Sequence, residues 1–307
     1  MLKLKKKTID GIFIIEMLAL PVLHFLLFWL YVNFSSITLA FKDEWTGAFT
    51  FRHFERFFAD WKTDFGTNGP LKNAVINTII EVLIGNAITT PLNLFITFAL
   101  FKKFYGHNFY RILFYLPGII GAVVTSMMEL YVLAPGAPII KIGEFLGINW
   151  SFDILQTGFY GNIHSARWTY FVTSIGISGS TILIQTGVLN RIPKDLFDCG
   201  KLDGVGFFKE FIYIALPLIW STVGIMWIMS FATGWAGYQR VLLLTQGTNN
   251  TGNFGYYLVS HTLSAVTGAN VNFNYPAAIG IIMTVVITPI TLLLRFLANK
   301  IVQPVEF

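Results

Sequence analysis

The sequence predicts an all-α, polytopic membrane protein with six transmembrane helices and one short cytoplasmic helix between spans four and five. The chain has 307 residues, of which 54% are hydrophobic and only 12% are charged, whereas soluble domains carry about 25% charged residues. Six apolar runs have roughly the 20 residues needed to cross about 30 Å of hydrocarbon. Because lipid offers the backbone no hydrogen-bond partners, each run is predicted to be a helix.

The first span follows a lysine-rich N-terminus and covers residues 11–32. It exceeds the apolar region of about 7 to 15 residues in a secretory signal peptide, so we predict an uncleaved span. A polar loop is predicted at 33–71. The other five spans are predicted at 74–101, 112–133, 168–189, 213–235 and 276–297.

Spans two and three each contain one proline, and long polar segments connect other spans. Pro91 predicts a bend in span two, and Pro117 lies within span three. The segments 134–166 and 237–275 are rich in glycine with proline or asparagine and are predicted to be outer loops. We divide the chain into 1–71, which holds the N-terminal segment, first span and outer loop, and 72–307, a core of five spans.

Basic residues predict the orientation. Both termini and the short central helix are expected in the cytoplasm of a multi-pass cell-membrane protein, because short cytoplasmic segments are enriched in Lys and Arg. The net charge of +5 is attributed to this orientation rather than to nucleic-acid binding. Thirteen of the 21 basic residues fall in the short segments on that side: Lys3, Lys5, Lys6, Lys7, Lys102, Lys103, Arg111, Arg191, Lys194, Lys201, Lys209, Arg295 and Lys300.

The sequence carries no recognisable catalytic or nucleotide site. Gly200-Lys201 lacks the glycine spacing of a phosphate-binding loop. The single cysteine excludes an internal disulfide, and the five histidines lack ligand spacing. We therefore predict neither an enzyme nor a cofactor or metal site, and expect transport to use a separate ATPase or an ion gradient.

The polar segment at 190–218 predicts the short helix. Pro193 suits a first helical position, Asp195 and Asp198 lie where the helix dipole favours acids, and Gly204 can end the helix. Such a helix is about 15 Å long, too short to span a bilayer. One side carries Leu196, Cys199 and Leu202, which predicts a docking surface; an ordinary amphipathic linker is the alternative.

The order of four motifs in this segment resembles a known pattern: Ile192-Pro193, Asp198-Cys199-Gly200, Asp203-Gly204-Val205 and Leu216-Pro217. It is similar to the EAA loop of membrane subunits of binding-protein-dependent ABC importers, here at about 190–212, and favours the carbohydrate-importing, maltose-type branch. The chain has Asp-Cys-Gly where the family has Glu-Ala-Ala, so the acidic side chain is one methylene shorter. The resemblance implies ATPase coupling through Asp198, Cys199, Gly200, Asp203 and Gly204.

Glu81 and Glu129 are the candidate functional ionisable residues within the predicted spans. Placing an ionisable side chain in lipid costs free energy, so Glu81 and Glu129 are treated by default as functional residues. Both lie close enough to span ends to reach interfacial water or polar groups of the bundle. A proton-coupled secondary carrier therefore remains the alternative to an ATP-driven importer, and an importer of another neutral or polar solute is a further one.

Hydroxyls, amides and aromatic rings concentrate in span four and the outer half of span five. Uncharged polar groups with flat rings suit a neutral polyhydroxylated solute, although small and hydroxyl residues also pack membrane helices together. Maltose-type permeases bind sugar between these two spans. The resemblance therefore implies substrate contacts at Ser180, Ser230, Thr233, Gly234 and Gly237.

The resemblance extends from about residue 72 to the C-terminal part of the chain and implies a set of partners. These are a second permease subunit, two cytoplasmic ATP-binding subunits, an extracytoplasmic solute-binding protein, a sugar substrate and membrane lipid. A purely structural membrane scaffold would explain the six spans, but it gives no reason for the Asp-Gly helix.

Overall fold

A computed structural model describes residues 6–267 and 272–301. The predicted termini, 1–5 with Lys3 and Lys5 and 302–307, lie outside the described residues, as does 268–271 of the predicted outer loop. The first nine helices are α1 Lys6–His24, α2 Tyr31–Ala40, α3 Arg52–Thr67, α4 Pro70–Ile84, α5 Thr90–Phe101, α6 His107–Ile119, α7 Ala122–Leu133, α8 Pro138–Phe145 and α9 Phe152–Gly161. The others are α10 Ile163–Ser174, α11 Gly179–Leu189, α12 Lys194–Leu202, α13 Phe207–Glu210, α14 Leu216–Gly234, α15 Gln239–Leu244, α16 Phe254–Thr267 and α17 Asn274–Ile301.

Three π-helical turns join neighbouring helices into longer rods. They are Phe25–Leu30, Gly85–Thr89 and Phe211–Ala215, and they connect α1 to α2, α4 to α5 and α13 to α14. Within the described ranges the β-structure is one isolated bridge, between Lys42 and Phe49. The all-α prediction is confirmed.

Six candidate spans are present in the described residues, as predicted. Span one is covered by no other part of the described chain, since its side chains from 13 to 37 are all exposed. An apolar helix of this kind faces lipid or a partner subunit, because exposing so large an apolar surface to water is energetically unfavourable. The spans are Phe13–Ala40, Pro70–Phe101, Ala122–Phe145, Ile163–Leu189, Phe207–Gly234 and Asn274–Ala298.

Span three is not the continuous helix predicted at 112–133. Helix α6 ends at Ile119, Ile120 and Gly121 adopt extended backbone angles, and α7 begins at Ala122. Pro117, inside α6, lacks an amide hydrogen and so weakens the helix close to this break. The candidate span therefore starts later and runs on to Phe145.

The predicted loops are wrong in part, because they contain helices. Segment 33–71 contains α3, segment 134–166 contains α8 and α9, and segment 237–275 contains α15 and α16. These helices mix polar and apolar residues and are too short or too polar to span a bilayer. Composition alone therefore did not separate them from irregular connections.

The chain forms two compact units. The first comprises Met1–Ala59 with His261–Thr284, and the second comprises Asp60–Ser260 with Val285–Phe307. In the first unit, His53 is buried and its Nε2 lies 3.0 Å from the Lys42 carbonyl, which also accepts a hydrogen bond from Asn274. The boundary proposed from the sequence, at residue 71, stays a prediction.

The second unit contains every residue predicted to bind solute or an ATPase. One of its buried clusters joins α5, α11, α12 and α14 near the predicted cytoplasmic end. Phe98 of α5, Leu189 of α11, Phe197 of α12 and Ile219 of α14 are each at most 4% exposed. The short helix is thus packed directly onto spans two, four and five.

Candidate functional site

Span four is broken in its middle. Helix α10 ends at Ser174 and α11 begins at Gly179, so the backbone between them lacks helical hydrogen bonds. Asn93 of span two compensates, because its Oδ1 accepts from the Ser178 amide at 3.0 Å and its Nδ2 donates to the Gly176 carbonyl at 3.4 Å. Irregular backbone at membrane depth is tolerated where protein or a polar cavity surrounds it.

Span two is irregular beside this break. The π-turn Gly85–Thr89 precedes Pro91, and the Thr90 hydroxyl donates to the Gly85 carbonyl at 2.9 Å. Extra turns of this kind are frequent at functional sites. A π-turn thus lies just before Pro91, and the bend predicted from this proline stays a prediction.

A cavity of about 310 Å³ lies beside these two irregular segments. Six of its nine lining residues are polar or charged, and Thr89 contributes a buried hydroxyl with no hydrogen-bond partner among the described residues. Membrane-protein solute sites commonly form where spanning helices are discontinuous. The lining residues are Glu81, Val82, Gly85, Thr89, Ser174, Ser230, Thr233, Gly234 and Arg240.

Three of the five residues predicted to contact substrate line this cavity: Ser230, Thr233 and Gly234. Ser230 and Thr233 supply hydroxyls, although the Thr233 hydroxyl also donates to the Met229 carbonyl at 2.8 Å. Gly234 lets α14 approach span two, because a Cβ there would stand 2.7 Å from Cγ2 of Val82. A side chain at 234 therefore requires the cavity wall to move.

The other two predicted residues do not line the cavity. Ser180 is exposed near the start of α11, with its hydroxyl 3.1 Å from that of Ser178. The Gly237 carbonyl accepts a hydrogen bond from Asn253 Nδ2 at 2.7 Å. Their roles in substrate binding stay predictions.

A partly buried ion pair adjoins the cavity. Arg240 Nη2 lies 2.8 Å from Glu129 Oε1 and 2.5 Å from the Thr173 hydroxyl, and its guanidinium stacks 4.8 Å from the Tyr170 ring centre. The Tyr160 hydroxyl also donates to Glu129, and burial together with this carboxylate raises the pKa of Tyr160. Arg240 thus balances the charge of Glu129.

Glu81 has a different environment, with neutral donors. Its Oε1 accepts from the Tyr170 hydroxyl at 2.9 Å, and its Oε2 accepts from Asn253 Nδ2 at 3.1 Å. Sequence reasoning identified Glu81 and Glu129 but missed Arg240, which follows span five. The signal available in the sequence was the free-energy cost of placing a carboxylate within a span, because a cation from elsewhere in the chain can offset that cost.

A second cavity, of about 410 Å³, is mainly apolar and lies between spans two, five and six of the second unit. Trp227 and Trp235, which are among the aromatic rings of predicted span five, line this cavity and not the polar one. Val82 borders both. The predicted aromatic and hydroxyl groups are therefore divided between two cavities.

The predicted short helix is α12, Lys194–Leu202. Pro193 immediately precedes its first residue and does not occupy the predicted first helical position. One face is anchored: Phe197 is buried, and a Cβ on Gly200 would lie 2.7 Å from Cδ1 of Ile214. The opposite face is open, and Leu202 is 88% exposed. Gly204 ends the helix with a φ of 71°, which favours glycine.

The acidic residues of this segment lie on the open side. Asp198, Cys199, Asp203 and Gly204 are exposed, and a 2.7 Å hydrogen bond from Lys201 lowers the pKa of Asp198. Exposed pairs of this kind contribute little to stability. These side chains are therefore available to a partner, whereas Gly200 serves internal packing.

A buried ion pair fixes the base of α12. Lys102, at the end of span two, pairs with Glu210, which is 5% exposed at the start of span five. The Lys102 ammonium also lies 4.5 Å from the Phe197 ring centre. The short helix is thereby tied to two spans through one cation.

Comparisons with known proteins extend these observations. No family model matches the chain. The chain is 27% identical over 270 residues to the probable ABC transporter permease protein YesP of Bacillus subtilis, covering 86% of this chain and 81% of that protein. It is 24% identical to the arabinooligosaccharides transport system permease protein AraP of Bacillus subtilis, covering 89% and 84%.

Solved structures share the fold. A chain from the crystal structure of a bacterial alginate ABC transporter in complex with an alginate pentasaccharide-bound periplasmic protein aligns with a TM-score of 0.80. The alignment covers 98% of this chain and 99% of that chain at 18% identity.

The predicted resemblance is confirmed, since the curated homologues are permeases of carbohydrate ABC transporters. This matches the predicted function as a sugar-importer permease and does not favour the proton-coupled carrier. The homologues are transport subunits and not enzymes. Together with the six apolar helices, they support a multi-pass membrane protein.

Proposed function

We propose that this chain forms the solute pathway of an ATP-driven importer of sugars or oligosaccharides. It works with a second permease subunit, two cytoplasmic ATP-binding subunits and an extracytoplasmic solute-binding protein, and both its termini lie in the cytoplasm. The homology to sugar permeases carries the proposal. ATP hydrolysis takes place in the separate subunits.

The polar cavity beside the break in span four is the proposed solute site. Ser230 and Thr233 offer hydroxyls, and the buried Thr89 hydroxyl has no partner among the described residues. Sugar hydroxyls both donate and accept hydrogen bonds, so they suit such a lining. The relatives' names do not decide the sugar, because they include arabinooligosaccharide and polygalacturonan/rhamnogalacturonan permeases.

Helix α12 is the proposed coupling element. Its exposed face, with Leu202 and the carboxylates of Asp198 and Asp203, offers apolar and acidic contacts to an ATP-binding subunit. Its buried face, through Phe197, moves with α5, α11 and α14. Movement of the ATP-binding subunits would therefore reach α14, which lines the solute cavity, and also α5 and α11, which follow the irregular segments beside it.

Charge reversal on the exposed face tests the coupling. In proteoliposomes containing the complete complex, Asp198→Lys with Asp203→Lys should lower ATP-dependent sugar uptake by about a hundredfold, which corresponds to roughly 2.7 kcal/mol of lost interaction. Insertion and the thermal stability of the isolated permease should be unchanged, because both side chains are exposed. Asp195→Lys, on the same helix outside the predicted coupling set, serves as the control, and normal uptake by the double variant would contradict the docking role.

A further inference from the structure

The polar cavity contains an imbalance of charge. Arg240 is the cation in its described lining, and its guanidinium is already paired with Glu129 at 2.8 Å. Glu81 also lines the cavity, but its two donors, Tyr170 and Asn253, are neutral. The cluster of Glu81, Glu129 and Arg240 therefore has two carboxylates and one cation.

Glu81 retains capacity to accept hydrogen bonds. An ionised carboxylate has about four acceptor positions, of which Tyr170 and Asn253 occupy two. A sugar hydroxyl in the cavity can donate to a remaining position, and hydrogen bonds to a charged acceptor are among the stronger ones. A neutral polyol is therefore a suitable ligand for this carboxylate.

A solute carboxylate would meet the opposite situation. Arg240 uses three of its five N–H donors on Glu129, Thr173 and the Tyr170 carbonyl, and its charge is already paired with that of Glu129. Like charges repel strongly where water is scarce. A uronate in this cavity would thus face Glu81 without a free cation from its described lining.

We infer that Glu81 determines specificity, accepting hydroxyl hydrogen bonds from neutral sugars and excluding sugars that carry a carboxylate. This inference rests on the proposed function and names the substrate class of the same cavity. It also separates this chain from the structural neighbour described as importing the acidic polysaccharide alginate, with which it shares the fold.

The test compares matched sugars on the complete complex in proteoliposomes. The probes are maltotriose, arabinotriose and diacetylchitobiose, each alone and with one primary alcohol oxidised to a carboxylate. Wild type should import at least one neutral probe at least tenfold faster than its oxidised form, and Glu81→Gln should reduce that preference to about threefold or less. Because the binding protein is the same in both complexes, the change in preference reports on the permease.

Glu16→Gln is the matched control, since it removes an acid from span one at a residue outside the cavity lining. It should keep the wild-type preference. An unchanged preference in Glu81→Gln, with normal neutral uptake, would overturn the inference and leave the importer intact. The absence of ATP-dependent uptake of every probe would instead overturn the proposed function, and this inference with it.

A second measurement does not depend on the variant's assembly. In wild-type complex lacking the binding protein, the permease site should bind the neutral probe at least tenfold more tightly than its oxidised form. Equal affinity for the two forms would overturn the inference even if Glu81→Gln failed to fold.

Discussion

Two ion pairs among the described residues, Arg240–Glu129 and Lys102–Glu210, lie in different surroundings. Arg240 and Glu129 adjoin a polar cavity, together with a second carboxylate whose donors are neutral. Lys102 and Glu210 form a one-to-one pair, and the Lys102 ammonium lies 4.5 Å from the Phe197 ring centre and 5.6 Å from that of Phe98. The first pair lies beside the proposed solute site, and the second lies where α12 packs against spans two and five.

This difference indicates what each charge contributes. A balanced pair enclosed by rings has little capacity left for a ligand, so it acts by holding helices in place. A cluster with surplus acceptors next to a cavity can still form hydrogen bonds with a solute. Removing one partner is costly in both settings, because an uncompensated charge remains buried.

The largest effect is expected from Arg240→Gln. It leaves Glu129 without its cation and should lower the free energy of unfolding of the permease by about 3–5 kcal/mol, with uptake largely lost. Thermal melts in detergent measure the first effect. Arg240→Gln combined with Glu129→Gln should recover most of the stability; if the double variant is as unstable as the single one, charge compensation is not the role of Arg240.

A somewhat smaller effect is expected from Lys102→Met, because fewer hydrogen bonds are lost. Among the described residues Lys102 donates to Glu210, whereas the Arg240 guanidinium makes three hydrogen bonds. We expect a loss of about 2–3 kcal/mol and more ATP hydrolysed per sugar imported, since the base of α12 loosens. Lys102→Met with Glu210→Gln should restore tight coupling. Lys103→Met, at an exposed neighbouring lysine, is the control and should behave as wild type.

The smallest effect is expected from Ser230→Ala, which removes one cavity hydroxyl and no charge. The lost hydrogen bond should weaken sugar binding by about three- to tenfold without changing the preference between neutral and oxidised probes. Ser221→Ala, at an exposed position on the same helix, should leave binding unchanged. A changed preference between neutral and oxidised probes in Ser230→Ala would contradict the assignment of that preference to Glu81 and of a hydroxyl contact alone to Ser230.

The spans and α12 were predictable because their signals are local. Apolar length identifies a span, and the order of Pro193, Asp198 and Gly204 predicts a short helix with its end. The breaks in spans three and four were not predictable in this way. Apolar runs continue through 120–121 and 175–178, and the compensation at the second break comes from Asn93, which is 85 residues away from Ser178.

The candidate site was predictable only in part for the same reason. Ser230, Thr233 and Gly234 follow one another on α14, so one helix brings them together. Glu81 and Arg240 reach the same cavity from different parts of the chain, and only tertiary packing shows this. Trp227 of the same helix and Trp235, the residue just after its end, line a different cavity, which composition alone does not reveal.

The only cysteine of the chain, Cys199, is exposed on α12. A maleimide fluorophore or a nitroxide attached to the unmodified protein would therefore label this one position, without prior removal of other thiols. Such a probe would sense the approach of an ATP-binding subunit during turnover. The chain therefore carries one exposed thiol on the surface proposed to contact an ATP-binding subunit.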